Sequence, residues 1–232
     1  MVVRTSAAVE SADSNVTEKV MAATGRFITF EGGEGCGKST QALRLRNALE
    51  GIGVEVLLTR EPGGTWLAER IRGLLKDQTC DPPCDRSELL LFLAARAQLV
   101  KNVIRPALAR GAWVVSDRFS DSTIAYQGYG RGLPLDIVAE ANEFACEGLK
   151  PDRTFLLTLD RETASDRMRH REEATNTSAD RIETAGDGFH ARLAEGFAAL
   201  AAAEPDRIVT IDAGGTPDEV WEEIWKSIRP LV

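Results

Sequence analysis

The chain has 232 residues, 43% of them hydrophobic and 28% charged, with a formal net charge of -8. This suits one well-buried α/β domain without excluding two small ones, and the acidic balance argues against a protein that coats nucleic acid, which needs a basic face. Four cysteines are too sparse for a disulfide scaffold and no apolar run reaches the roughly 18 residues of a membrane span, so a reduced, cytoplasmic protein is expected.

Residues 1 to 24 are small and polar and lack the continuous apolar stretch of a secretory signal. Glu10, Asp13 and Glu18 disfavour a transit peptide, which is poor in acids. A flexible extension is expected ahead of a domain covering 25 to 232; a cloning remnant or a start at Met21 would fit the same residues.

The first predicted strand is FITF, 27 to 30, and EGGEGCGKST follows it at 31 to 40. Gly32, four residues, then Gly37, Lys38 and Ser39 make the pattern GxxxxGK[ST], here between a predicted strand and a predicted helix at 37 to 50. Such a loop wraps a phosphate chain, with backbone N–H groups and the helix N-terminus supplying positive potential. The loop residues Gly32, Gly33, Glu34, Gly35, Cys36, Gly37, Lys38, Ser39 and Thr40 are therefore candidate ATP or GTP ligands. Lys38 suits the β and γ phosphates and Ser39 suits Mg²⁺.

A second strand, VEVLLT at 54 to 59, runs into Arg60, Glu61, Pro62, Gly63 and Gly64 before a helix at 65 to 76. Arg60, directly after a buried strand and before Pro-Gly-Gly, suits an anionic ligand better than the blander alternative, a surface pair with Glu61. A long helix is expected over 85 to 110, with Asp85 and Glu88 at its capped start, a bend near Pro106 and Gly111 as its stop. Phe92 and Arg96 are four apart and share one face, a ring beside a planar cation that suits a nucleobase. Cys80 and Cys84 without partner ligands read as loop residues rather than a metal pair.

The third strand, WVVSD at 113 to 117, ends in Asp117 followed by Arg118, which puts a cation where a phosphate acceptor needs one. GYGRG at 128 to 132 reads as a turn before a helix at 134 to 149. The last strands, TFLLTLD (154 to 160) and RIVTID (207 to 212), are followed by helices at 160 to 171 and 217 to 228, with another at 187 to 204 between them. Residues 165 to 188 are polar and charged and read as a mobile flap outside the core. Five nearly all-apolar strands alternating with helices imply a parallel sheet covered on both faces. DAGG at 212 to 215 matches a loose GTPase pattern but comes too late in the chain, and no N-K-x-D exists to read guanine.

In this order, EGGEGCGKST, LTREPGGTWLAERIR, LFLAARAQLV, DRFSDSTIAYQGYGRG and DRIE closely resemble the bacterial-type thymidylate kinase family over residues 26 to 228. The resemblance implies a three-layer P-loop nucleoside monophosphate kinase fold, with a five-stranded parallel sheet in order 2-3-1-4-5, a mobile lid and usually a homodimer. It implies transfer from ATP to dTMP with Mg²⁺, in dTTP synthesis for DNA replication, and neither a nucleic-acid nor a membrane partner. By the same resemblance Arg60 and Arg118 grip the dTMP phosphate, Phe92 stacks on thymine, Arg96 bonds its exocyclic oxygen and Thr123 reaches its ring nitrogen. Tyr126 packs under the sugar and crowds a 2′-hydroxyl, and Gln127 lies close by. Glu34 faces the 3′-hydroxyl and a metal-linked water, and Asp117 supports the magnesium shell beside Ser39.

The P-loop has no arginine, so the resemblance assigns the phosphoryl-clamping cation to the lid, which holds Arg167, Arg169, Arg171 and Arg181; Arg169 and Arg171 are taken as its catalytic candidates. Cys36 departs from the family's usual Ala and reads as a small filler. The remaining alternatives are a kinase for dUMP, CMP or a non-nucleotide acceptor, and a non-catalytic nucleotide-binding regulator.

Overall fold

The computed structural model describes residues 25–79, 81–175 and 186–232. The expected extension at 1 to 24, Cys80 and the flap residues 176–185 lie outside them. Five strands, β1 (Phe27–Glu31), β2 (Val56–Arg60), β3 (Trp113–Asp117), β4 (Arg153–Thr158) and β5 (Ile208–Asp212), form one sheet in the order β2-β3-β1-β4-β5. All four pairings are parallel, as the apolar runs and the resemblance implied.

Alternation along β1 decides which core each side chain joins. Ile28 and Phe30 pack with Leu45 and Leu49 of α1 (Lys38–Gly51) and with Val220 and Ile224 of α9 (Pro217–Ile228). Phe27 faces the other way, onto Leu99, Val100, Ile104 and Phe119. On that second face lie α3 (Asp85–Leu99), α4 (Arg105–Ala109), α5 (Ser120–Thr123), α6 (Leu135–Cys146) and α8 (Asp187–Ala203); α2 (Trp66–Lys76) packs on α3.

Several element ends differ from expectation for local reasons. Val54 belongs to the turn closing α1, where its N–H bonds Leu49 O at 3.0 Å, rather than to β2. Leu159 and Asp160 leave β4 because the Asp160 carboxylate accepts from Thr163 N at 2.9 Å and so starts α7 (Arg161–Thr175). The expected flap is helical as far as Thr175. The long helix is interrupted by a π-helical turn, Val100–Ile104, immediately before the segment bearing Pro106, whose ring and missing N–H a regular helix does not accommodate.

Two further corrections concern the site. Glu88 does not cap α3: its carboxylate is buried and accepts from Gln127 Nε2 at 2.9 Å and Arg131 Nη2 at 2.9 Å. GYGRG is not all turn, since a π-helical stretch, Ile124–Gly130, continues α5 through Gly128 and Gly130. A Cβ at Gly128 would meet Leu135 Cδ2 at 2.6 Å, and one at Gly130 would meet Phe189 Cε2 at 2.6 Å. These glycines permit close packing of helices.

Candidate active site

The C-terminal ends of the strands open onto one cavity of about 740 Å³. In an open parallel sheet this edge is where ligands bind. Each strand that ends there contributes differently, and the P-loop contributes first.

Gly32 turns the chain out of β1 with φ +131, and a Cβ there would sit 2.2 Å from Leu157 O, so only glycine fits. Lys38, buried at 6% exposure, folds back so that Nζ donates to Gly32 O at 3.2 Å and to Gly33 O at 2.5 Å. Its ammonium is therefore held at the loop. The Ser39 hydroxyl donates to Asp117 Oδ2, joining the two residues expected around a divalent cation. A hydroxyl and a carboxylate are hard oxygen donors, which fits Mg²⁺, an ion usually held by one or two side chains plus phosphates and water. Cys36 is buried, with Sγ donating to Gly33 O at 2.9 Å, in keeping with a small filler.

At the end of β3 Arg118 has φ +75, a left-handed conformation uncommon outside glycine. Its guanidinium donates to Gly32 O at 3.0 Å, Ser122 Oγ at 3.2 Å and Glu34 Oε1 at 2.5 Å, and lies 4.9 Å from the centre of the Tyr126 ring. Burial alone would lower its pKa, but the Glu34 carboxylate holds it well above the usual value, so the group stays cationic. Tyr126 Oη donates to the same Glu34 oxygen at 3.2 Å. Arg60, at the end of β2, pairs with Glu69 at 3.2 Å and not with Glu61, the partner that adjacency suggested. Its side chain is 53% exposed on the cavity wall.

Glu61 instead turns inward to Arg96. All five N–H groups of Arg96 have protein acceptors: Nε and Nη2 donate to Glu61 Oε2, Nη1 to Thr123 Oγ1 (2.7 Å) and Asn142 Oδ1 (2.6 Å), and Nη2 also to Phe119 O (3.0 Å). Burial pushes the Glu61 carboxyl up, and the Arg96 charge and hydrogen bonds oppose that rise. Removing one member of a buried pair strands the other. Glu61→Ala is therefore expected to destabilise the fold by about 3–5 kcal/mol, read as a shifted urea midpoint at unchanged slope; a loss under about 1 kcal/mol would show that the pair is not needed for stability.

Phe92 is half-buried, packed against α2 on one side and lining the cavity on the other. Thr123, Tyr126 and Gln127 also line the cavity, with Gln127 fixed by Glu88. Among the lid arginines whose side chains are described, Arg167 reaches the cavity and Arg169 does not line it. Arg169 is 63% exposed and bonds Asp166 at 2.9 Å. The Arg171 side chain and Arg181 lie outside the described residues.

Four features escaped the sequence reading: Glu31, Glu61, Asn142 and the DAGG turn. Arg167 Nη1 donates to Ala213 O at 2.8 Å and Nη2 to Gly215 O at 3.2 Å, and Ala213, Gly215 and Pro217 line the cavity. DAGG is therefore part of the site although it is not a GTPase switch. Its place at the C-terminal end of β5, the same sheet edge as the P-loop, was the signal available.

Over residues 30–224 the chain matches a family model described as thymidylate kinase. It is 48% identical over 208 residues to the thymidylate kinase of Solidesulfovibrio magneticus, covering 89% of this chain and 100% of that one. To the thymidylate kinase of Synechococcus sp. strain JA-3-3Ab it is 49% identical over 204 residues, covering 88% and 95%. Its fold is similar to the crystal structure of thymidylate kinase from Ehrlichia chaffeensis, with a TM-score of 0.70, 36% identity and coverage of 88% and 98%.

Proposed function

The chain belongs to the thymidylate kinase family, and from that premise we propose that it phosphorylates dTMP to dTDP with ATP as donor and Mg²⁺ as cofactor. The observation that carries the reading is one cavity lined by Lys38 of the P-loop and by Arg60 and Arg118 at the ends of β2 and β3. Two cationic sites on one cavity suit two phosphate groups that must meet.

The acceptor needs no general base, because a phosphate monoester with a second pKa of about 6 is largely a dianion at neutral pH. The task is to hold two anions together and stabilise charge in transit. Lys38 binds the donor phosphates, and Ser39 and Asp117 would hold the Mg²⁺, which supplies charge neutralisation between the donor phosphates. Arg60 and Arg118 hold the dTMP phosphate, and Glu34 aligns Arg118 while facing the sugar 3′-hydroxyl.

Phe92 stacks on thymine, and Thr123 Oγ accepts from its ring N–H. Every Arg96 N–H already has a protein acceptor, so the exocyclic oxygen shares one of them in a three-centre bond. Tyr126 packs beneath the sugar with Gln127 beside it. The lid supplies the cation for the transferred phosphoryl group: Arg167 is the described lid arginine that already reaches the cavity, and Arg169 would have to leave Asp166 to take that part.

No helix among the described residues is long and apolar enough to cross a membrane. A cytoplasmic homodimer serving dTTP synthesis completes the proposal. Support for the dimer comes from exposed Trp66 and Leu74 on α2, Leu90 on α3, and Ile137 and Phe144 on α6, three helices packed side by side. A monomer in sedimentation at micromolar concentration would remove it.

ADP release from ATP and Mg²⁺ tests the activity, with dTMP, dUMP, CMP, AMP and no acceptor in parallel. The expected result is strong turnover with dTMP, weaker turnover with dUMP and none without acceptor. Release independent of any monophosphate would mean an ATPase, and ATP binding without turnover would mean a regulator.

A further inference from the structure

We infer that Glu31 is a positioning residue for the acceptor phosphate, fixing the Arg118 turn through the N–H groups of Phe119 and Ser122 and through a relay by the Ser122 hydroxyl. The inference rests on the acceptor-side role proposed for Arg118.

Glu31 is the last residue of β1, and alternation along the strand puts it on the face of Phe27 and Thr29, toward α5. Its side chain is buried, in a residue 1% exposed, where another apolar residue would have continued the strand. Oε1 accepts from Phe119 N at 2.7 Å and from Ser122 N at 3.3 Å, and Oε2 accepts from Ser122 Oγ at 2.5 Å. These bonds bracket the start of α5, the segment directly following Arg118.

The hydroxyl of Ser122 has one proton and two lone pairs. With the proton committed to Glu31, a lone pair is left to accept from Arg118 Nη1 at 3.2 Å. Glu31 thereby sets the polarity of the contact that reaches the guanidinium. It also secures the backbone. A non-glycine residue at φ +75 persists only where its surroundings over-determine it. Here Arg118 N bonds Phe30 O at 2.9 Å, Ser116 Oγ bonds Arg118 O at 2.7 Å, and Glu31 takes the next N–H along the chain.

Keeping a carboxylate here is costly. Burial first, then the Asp121 charge, push the Glu31 carboxyl up to about 7, against the opposing Arg118 charge and the bonds from Ser122 and Phe119. A glutamine has nearly the same shape and avoids that cost, but it brings an N–H₂ group in place of one acceptor. If the amide oxygen keeps Phe119 N, the amide N–H₂ faces Ser122 Oγ, and the hydroxyl proton loses its acceptor.

The test uses the full chain carrying Glu31→Gln, Ser122→Ala or both, with dTMP varied at saturating ATP, ATP varied at saturating dTMP, and binding of a fluorescent ATP analogue without dTMP. Glu31→Gln is expected to lower kcat/KM for dTMP about tenfold while analogue affinity stays within about twofold, since the lost contacts serve a charged group on the acceptor side only. In the Ser122→Ala background the same change is expected to cost clearly less, because the relay is already broken. Unchanged dTMP kinetics in Glu31→Gln, or an equal loss in analogue binding, would overturn the inference. Should Glu31→Gln melt too low to assay, Ser122→Ala alone decides: a selective dTMP-side loss supports the relay and wild-type dTMP kinetics refute it. Wild-type enzyme with no dTMP-dependent ADP release would refute the proposed activity and this inference together, whereas an active wild type with an indifferent Glu31→Gln refutes the inference alone.

Discussion

Arg118→Ala is expected to lower kcat/KM for dTMP by about 10³-fold while changing ATP affinity by no more than about threefold, measured with both substrates varied. The asymmetry follows from where the side chain is anchored. Arg118 directly follows β3, and its guanidinium is aligned by Glu34, Ser122 and the Gly32 carbonyl over the Tyr126 ring. An acceptor phosphate entering there would exchange a neutral carbonyl for a charged ligand, and charge-assisted forked bonds are the strong ones.

The substitution is also clean. Alanine has a Cβ, so it faces the same left-handed backbone at φ +75 as arginine does, and the strain of the turn is unchanged. What does change is Glu34, which keeps Tyr126 Oη but loses its pairing with Arg118. Arg118→Lys separates the two effects, since it restores a charge near Glu34 without the planar fork. Recovery of less than about a tenth of the lost activity in Arg118→Lys would locate the effect in bidentate phosphate binding; full recovery would reduce Arg118 to a point charge. Equal losses for dTMP and ATP in Arg118→Ala would contradict the acceptor-side role.

What could be read from the sequence was what depends on neighbours along the chain. The P-loop is legible because Gly32, Gly37, Lys38 and Ser39 act as one contiguous turn. Four-residue spacing brings Phe92 and Arg96 to one cavity wall, but the ring that lies against the Arg96 guanidinium, 5.3 Å away, is Phe119. Contacts between distant segments were not legible. Glu61 meets Arg96 across 35 residues and Asn142 meets it across 46, and no local pattern announces either. Adjacency offered Glu61 as the bland alternative partner of Arg60, whereas the partner is Glu69, one turn into α2. Gly128 and Gly130 read as a turn because glycine is a poor helix former, yet the packing of Leu135 and Phe189 against them overrides that propensity. Glu31 reads as the first polar residue after a strand, and only the fold reveals that it points inward to Phe119 and Ser122.

Lys38→Ala is expected to lower kcat by about 10³-fold or more and to weaken ATP, with dTMP binding measured by calorimetry kept within about threefold. This is the mirror image of Arg118→Ala, and the pair tests whether one cavity divides into donor and acceptor sides. Lys38 opens α1, and its ammonium bonds the Gly32 and Gly33 carbonyls of the loop that wraps the donor. Gly32 O is also an acceptor for Arg118, so the two cations share one carbonyl. Removing Lys38 could therefore disturb Arg118 through the loop backbone, and the dTMP affinity is the readout that detects it. Lys38→Met keeps the apolar stem and removes only the charge. If Met and Ala lose the same activity and both retain dTMP, the ammonium itself is what the donor phosphates need. If both lose dTMP as well, the shared carbonyl couples the two sides, and single substitutions cannot be assigned to one nucleotide. Turnover unchanged in either variant would remove the P-loop from the chemistry altogether.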